Sequence, residues 1–372
     1  MADKETGFAA ACRAMPRLTA FLLAALLGSA ASAQALKPVP VATGLESPWA
    51  LAFLPDGRML VTERAGRLRI VGADGRVGAP LAGLPPVDAT GQCGLLDVAV
   101  DPDFAKNGLV WWTFAEPGEG GNSTAVARGR LDGDRLVEVR TVFSQKPKVS
   151  SRHHCGSRIV FGRDGTLWVG LGDRFSRKDD AQNPSNHLGK VIRIDREGRA
   201  PADSPKFAAA EVWSLGHRNI QGAASHPASG ALWTVEHGPQ GGDEINAPQR
   251  GLNYGWPVVT RGRNYVVGTR IGEDGPKPGY EEPLKVWVPS IAPSGMAFLT
   301  SDRYPGWQGS LFVGALKAQA LVRLTLDGGK VVAEERLLQD FGERIRDVRQ
   351  GPDGWLYVLT DGSGGQVLRL ER

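Results

Sequence analysis

Beyond its first 33 residues the chain has no long apolar run, no extended helical pattern and no cluster of basic residues. Each absence excludes something. With no later apolar stretch, nothing past the N-terminus suits a membrane span. The 44 Lys and Arg stand against 40 Asp and Glu and are scattered, so the basic patch that nucleic acid needs is missing. Without helical periodicity, the 49 glycines and 25 prolines point to many short strands joined by tight turns. Cysteine is scarce: Cys12, Cys93 and Cys155 are the only three.

The first 33 residues read as an address. Arg13 and Arg17 precede the apolar run at 18–27, and Ala31-Ser32-Ala33 supplies small residues before Gln34. A positive segment, an apolar segment and an A-x-A site predict a secretory signal peptide cleaved after about Ala33. The run is short for a permanent span; an uncleaved anchor is the alternative. The mature protein, 34–372, is expected to be one exported, soluble, periplasmic domain. Cys12 leaves with the address, and the remaining pair permits one disulfide in an oxidising compartment.

A repeat emerges when the sequence is cut at its Asp-Gly turns. Residues 49–63, 159–170 and 348–360 are clear copies, and looser ones begin near 96, 222 and 295. Each reads as an apolar strand, a turn and a second apolar strand, with Asp capping the turn and Gly taking positive φ. Six strand-built copies of about 55 residues predict an all-β fold, a six-bladed β-propeller. A β-sandwich is the alternative. The strand at 366–370 could pair with N-terminal strands and close the ring. Residues 262–286, rich in Gly, Pro and charge, read as a long inserted loop.

Chemistry gathers at strand ends. His154 precedes a strand expected at 158–162 and Asp173 follows one at 166–172, so an antiparallel hairpin would place them side by side. A carboxylate there orients an imidazole and stabilises its protonated form; the plainer alternative is a strand-ending Asp and a backbone-bonded His. Arg218-Asn219 follows a strand end, Lys317 follows a strand at 310–316, and Arg344 and Arg346 precede one at 347–350. Such residues can serve as structural ion pairs. Several cations converging on one channel would instead want a polyanion, and Arg forks suit carboxylates. The Gly238-Pro239 carbonyls, near Asp243 and Glu244, are oxygen ligands of the kind Ca²⁺ takes, or else form a polar turn with Glu244 solvated.

Taken in order, the motifs carry a resemblance. They are Gln92-x-Gly94-Leu95-Leu96, His154-x-x-x-Arg158, Gly216-His217-Arg218-Asn219, Glu236-x-Gly238-Pro239 with Asp243-Glu244-Ile245-Asn246, Asn253-Tyr254-Gly255-Trp256-Pro257, Ala315-Leu316-Lys317 and Arg344-Ile345-Arg346-Asp347-Val348. The chain resembles the soluble sugar dehydrogenases dependent on pyrroloquinoline quinone (PQQ), in their aldose sugar dehydrogenase branch. The resemblance implies a six-bladed propeller that oxidises aldoses at C1 to the lactone and passes electrons to an external acceptor, a quinone or cytochrome. It implies His154 as general base, Asp173 as its orienting acid and Arg218 as the cation at the developing oxyanion. Gln92, Arg218, Asn219, Tyr265, Lys317, Arg344 and Arg346 match positions that hold PQQ. Gly238 and Pro239 match the carbonyls of the cofactor's Ca²⁺, and Glu244 with the Tyr254 carbonyl matches a second, structural Ca²⁺ site.

The chain also departs from the glucose-specific branch. It lacks the long insertions, which suggests an open, shallow sugar site. His153 stands where that branch has Asp, and Asn264 stands in for a further carboxylate of the structural Ca²⁺ site. If Gln92 and His154 face one cofactor, Cys93 and Cys155 lie on neighbouring loops, either bridged or as two buried thiols. A Ca²⁺-dependent lactonase or related hydrolase and a non-catalytic binding propeller are the rival readings.

Overall fold

Alternation of apolar residues with Gly-containing turns every few residues builds six four-stranded antiparallel sheets. They are seen in the computed structural model, which describes residues 36–372. The predicted signal segment lies outside the described residues. The sheets are the blades of a six-bladed β-propeller.

Each repeat copy supplies the innermost strand of a blade. These strands are Pro48–Phe53, Leu95–Val100, Gly156–Phe161, Ile220–Ser225, Pro293–Phe298 and Ile345–Gln350. Each touches the next and the last touches the first, so the ring closes. Six backbones converge there, and small residues such as Ala50, Gly222, Ala223, Gly295 and Ala297 let them approach. The Asp-Gly turns form as expected. Gly57, Gly165 and Gly354 take φ of 85°, 79° and 83°. Asp56, Asp164 and Asp353 each accept the backbone N–H two residues on, at 3.1–3.2 Å.

The second strands, for example Met59–Glu63 and Leu356–Thr360, are buried throughout, whereas an outer strand such as Lys330–Leu337 is charged and mostly exposed. Ring closure uses both ends of the chain. Lys37–Glu46 pairs antiparallel with Ser363–Glu371 and becomes the outermost strand of blade 6. The expected strand at 347–350 starts earlier and contains Arg346, because Ile345 is buried in the core and pairs with Thr360. The insertion is longer than predicted. It runs from the third strand of blade 4, Asp243–Asn246, to its outer strand, Lys285–Trp287.

The core is six wedges, one per blade seam. The seam between blades 3 and 4 holds four buried apolar side chains, where the others hold nine to eighteen. Charges cross the central channel. The Arg158 guanidinium lies 3.1 Å from Asp97 and 3.0 Å from Asp347, and Arg349 lies 2.8 and 2.9 Å from the same carboxylates. Two cations and two anions from blades 2, 3 and 6 thus compensate one another, with Arg158, Asp97 and Asp347 buried.

Candidate active site

At one end of the channel, the loops leading into the inner strands enclose a cavity of about 310 Å³. Gln92, Asn219, Arg344 and Arg346, each just before or at the start of an inner strand, line it, with His237 and Asp361. A smaller cavity of about 130 Å³ is lined by His154, Asp173, Arg218, Pro239, Trp256 and Tyr265.

The hairpin of blade 3 brings His154 and Asp173 together. Gly156 pairs with Leu171 across it, and His154 Nδ1 lies 2.6 Å from Asp173 Oδ1. A Cβ at Gly172 would overlap the His154 carbonyl, so only glycine permits this approach. The local backbone is strained: His154, Ser157, Arg174 and Phe175 have φ of 53°, 114°, 61° and 62°. Such positions concentrate where surrounding structure overrules local preference. Burial, then the Arg218 charge, lowers the His154 pKa, and Asp173 opposes them without prevailing. Burial alone would raise Asp173, but its interaction with His154, then the Arg218 charge, holds it below the usual carboxylate range. The imidazole is therefore neutral near pH 7, with Nδ1–H bound to Asp173 and Nε2 left as the acceptor.

Arg218 sits opposite. Its Nη1 donates to the carbonyls of His237 and Gly238 at 2.9 and 2.7 Å, and Nη2 lies 3.4 Å from the Tyr265 hydroxyl. Its buried Nε has no partner among the described residues. Glu236 anchors the segment by accepting from the Arg218 backbone N–H and pairing with His217 at 2.9 Å. Gln92 Oε1 accepts the His154 backbone N–H at 3.0 Å, and Asn219 Oδ1 accepts that of Gly156 at 3.2 Å. Tyr265 is 57% exposed, on a hairpin of the blade 4 insertion.

In the larger cavity, Arg344 and Arg346 share Asp361, at 2.9 and 3.0 Å. Sequence reasoning missed Asp361. It also missed Arg64, which lines the cavity directly after a second strand, the kind of strand-end position that singled out Lys317. Lys317 lies in the turn after strand Leu311–Ala315 with its side chain exposed, and its neighbour Leu316 lines the cavity. Burial, then the Arg218 charge, pushes His237 down to about 3, so it stays neutral and donates from Nε2 to Pro293 O at 2.7 Å. Three guanidiniums against one carboxylate leave the cavity cationic. With the unpartnered Arg218 Nε, this donor set fits a planar, multiply carboxylated group such as PQQ.

The candidate Ca²⁺ ligands divide in two. Among the described residues no protein donor reaches the Pro239 or Tyr254 carbonyl, while Gly238 O is shared with Arg218. Asp243 is not free to join them, since its carboxylate accepts from Gly238, Ser290, Ile291 and Ala292. Burial and the adjacent Glu236 push Glu244 up to about 8, and the neighbouring Asn246 Oδ1 is buried without a partner. A carboxylate pair short of positive charge beside an orphaned oxygen fits a hard cation. Asn264 is placed elsewhere: it bonds Thr269 and lines the His154 cavity.

Cys93 and Cys155 form a disulfide with Cα atoms 5.8 Å apart, and Cys155 lines the larger cavity. The buried Arg174 guanidinium packs on both sulfurs, and burial lowers its pKa to about 10. No helix among the described residues is long and apolar enough to cross a membrane.

The family described as Glucose / Sorbosone dehydrogenase matches residues 45–369. The chain is 48% identical over 336 residues to aldose sugar dehydrogenase YliI of Escherichia coli (strain K12), covering 88% of this chain and 90% of that protein. The apo crystal structure of the soluble aldose sugar dehydrogenase from Escherichia coli superposes with a TM-score of 0.88 at 46% identity, over 90% of this chain and 99% of that one. The PQQ-bound aldose sugar dehydrogenase from Streptomyces coelicolor does so with a TM-score of 0.77 at 31% identity, over 91% and 98%.

Proposed function

This chain belongs to the glucose/sorbosone dehydrogenase family, and from that premise we propose that it is a PQQ-dependent aldose sugar dehydrogenase that oxidises the C1 hydroxyl to the lactone. The observation that carries the reading is the His154–Asp173 pair, 2.6 Å apart, beside a cationic cavity.

His154 Nε2 removes the proton of the anomeric hydroxyl. Asp173 keeps Nδ1–H in place and stabilises the imidazolium that results. Arg218, with a spare donor at Nε, steadies negative charge developing on the sugar oxygen. When bound, PQQ supplies the two-electron acceptor for the C1 hydride and Ca²⁺ the Lewis acid that polarises it. Arg64, Arg344 and Arg346 would hold its carboxylates, with the Gln92 and Asn219 amides alongside. Gly238 and Pro239 would hold the cofactor's Ca²⁺, and Glu244 with the Tyr254 carbonyl a second Ca²⁺. An external acceptor, a quinone or cytochrome, then takes the electrons. With 1–33 as secretion signal, the reaction runs in the periplasm.

The test is reconstitution with PQQ and Ca²⁺, followed by a dye-linked assay over a panel of aldoses. Lactone formation in step with dye reduction is the expected result. A fully loaded protein that reduces no dye with any aldose overturns the reading.

A further inference from the structure

Trp256 sits where two proposed catalytic groups meet. Asp173 Oδ1 is bound twice, by His154 Nδ1 at 2.6 Å and by the Phe175 backbone N–H at 2.8 Å. Asp173 Oδ2 has one partner among the described residues, the indole Nε1–H of Trp256 at 2.7 Å. The face of the same indole lies 5.1 Å from the Arg218 guanidinium carbon. Trp256 is 7% exposed, and its backbone is held independently of both contacts. Its N–H donates to Gly216 O at 2.9 Å, and its carbonyl accepts from Gln182 at 2.7 Å.

A buried carboxylate bound at one oxygen can still turn about its Cβ–Cγ bond. One bound at both oxygens from different directions cannot. Fixing Oδ1 fixes Nδ1–H of the imidazole, and that sets where Nε2 points. An indole face under a guanidinium also restrains the cation. We propose that Trp256 is a positioning residue, which locks the Asp173 carboxylate through Oδ2 and thereby aims the His154 imidazole while holding Arg218 beside it. This inference rests on the dehydrogenase reading for its catalytic meaning, but not for its test.

Deleting the indole N–H leaves Oδ2 as an unpaired buried anion and concentrates charge on Oδ1, favouring imidazolium. His154 titrates in the field of Asp173, Arg218, His153 and Lys178. Of these, Asp173 and Arg218 touch Trp256. The experiment is NMR titration of the His154 ring in the apo chain, for wild type, Trp256→Phe, Asp173→Asn and the double variant. Trp256→Phe keeps a ring under Arg218 and removes the donor. The expected result is a His154 midpoint raised by about half a pH unit or more, with no further change in the Asp173→Asn background. A midpoint unmoved by Trp256→Phe, or moved equally with Asp173→Asn present, overturns the inference. Should the Phe variant not fold, benzothienylalanine at 256 removes the N–H at constant shape, and the same outcomes decide. In the loaded enzyme the variant should lose about tenfold or more in kcat with KM nearly unchanged. The apo titration stands or falls without sugar oxidation, so its failure and that of the dehydrogenase reading are distinguishable.

Discussion

His154 can act as a base only while neutral, and its surroundings keep it so. Burial and Arg218 depress its pKa below the usual 6.5, so the base form predominates at neutral pH. The acid limb of kcat/KM should therefore have its midpoint below 6.5; a limb centred above pH 7 contradicts the assignment. His154→Ala should lower kcat by ~10²-fold or more while PQQ still binds, as judged by cofactor absorbance. Near wild-type turnover in that variant excludes His154 as base. This pair was legible in the sequence because both residues flank one hairpin, and antiparallel pairing returns a chain to its own start within 19 positions. Trp256 and Asp361 were not, because no local pattern marks the indole that meets a carboxylate 83 positions away or the acid that neutralises two arginines.

The loops that carry these groups are tied by covalent and polar links in addition to apolar packing, and the seam between blades 3 and 4 has the smallest apolar core. One link is the Cys93–Cys155 disulfide, which closes a 62-residue separation and ties the Gln92 loop to the His154 loop. The chain-entropy model puts such a closure at roughly 4 kcal/mol. Replacing both cysteines by serine should lower Tm by about 5 °C or more and lower kcat as well. Denatured, unreduced mature protein should show no free thiol; two would refute the bridge. A second link would be the proposed cation beside Glu244. Ca²⁺ should raise the Tm of the EDTA-treated chain, and Glu244→Gln should abolish the part of that response owed to this site. An identical Ca²⁺ response in the two proteins rules Glu244 out as a ligand. EDTA should also remove dye-linked activity, and Ca²⁺ restore it.

At the scale of the molecule, closure of the ring holds the lead-in loops at one mouth. Strand Lys37–Glu46 closes it by pairing with the C-terminal strand. Deleting residues 36–46 should leave blade 6 with an unpaired edge and yield a chain that aggregates or melts far below wild type; an unchanged Tm would show that closure contributes nothing. Tyr265, which lines the His154 cavity, is more than half exposed, as an open sugar site requires. Several aldoses should accordingly be oxidised with kcat/KM values within about two decades, and strict preference for one sugar contradicts an open site.

The sequence by itself determined the six-fold strand repeat, its Asp-Gly turns, the ring-closing pairing and the His154–Asp173 hairpin. These are local or periodic features, decided by residue spacing and the φ that each turn demands. Only the tertiary structure decided which strand-end cations face the cavity. It left Lys317 exposed in a turn, brought Arg64 to the cavity wall and set Asp361 between Arg344 and Arg346. It also assigned Asp243 to backbone donors and Trp256 to Asp173. The physical reason is convergence. Six loops meet at one mouth only after the ring has closed, and whether a side chain there meets an ion, a carbonyl or solvent depends on neighbours from other blades.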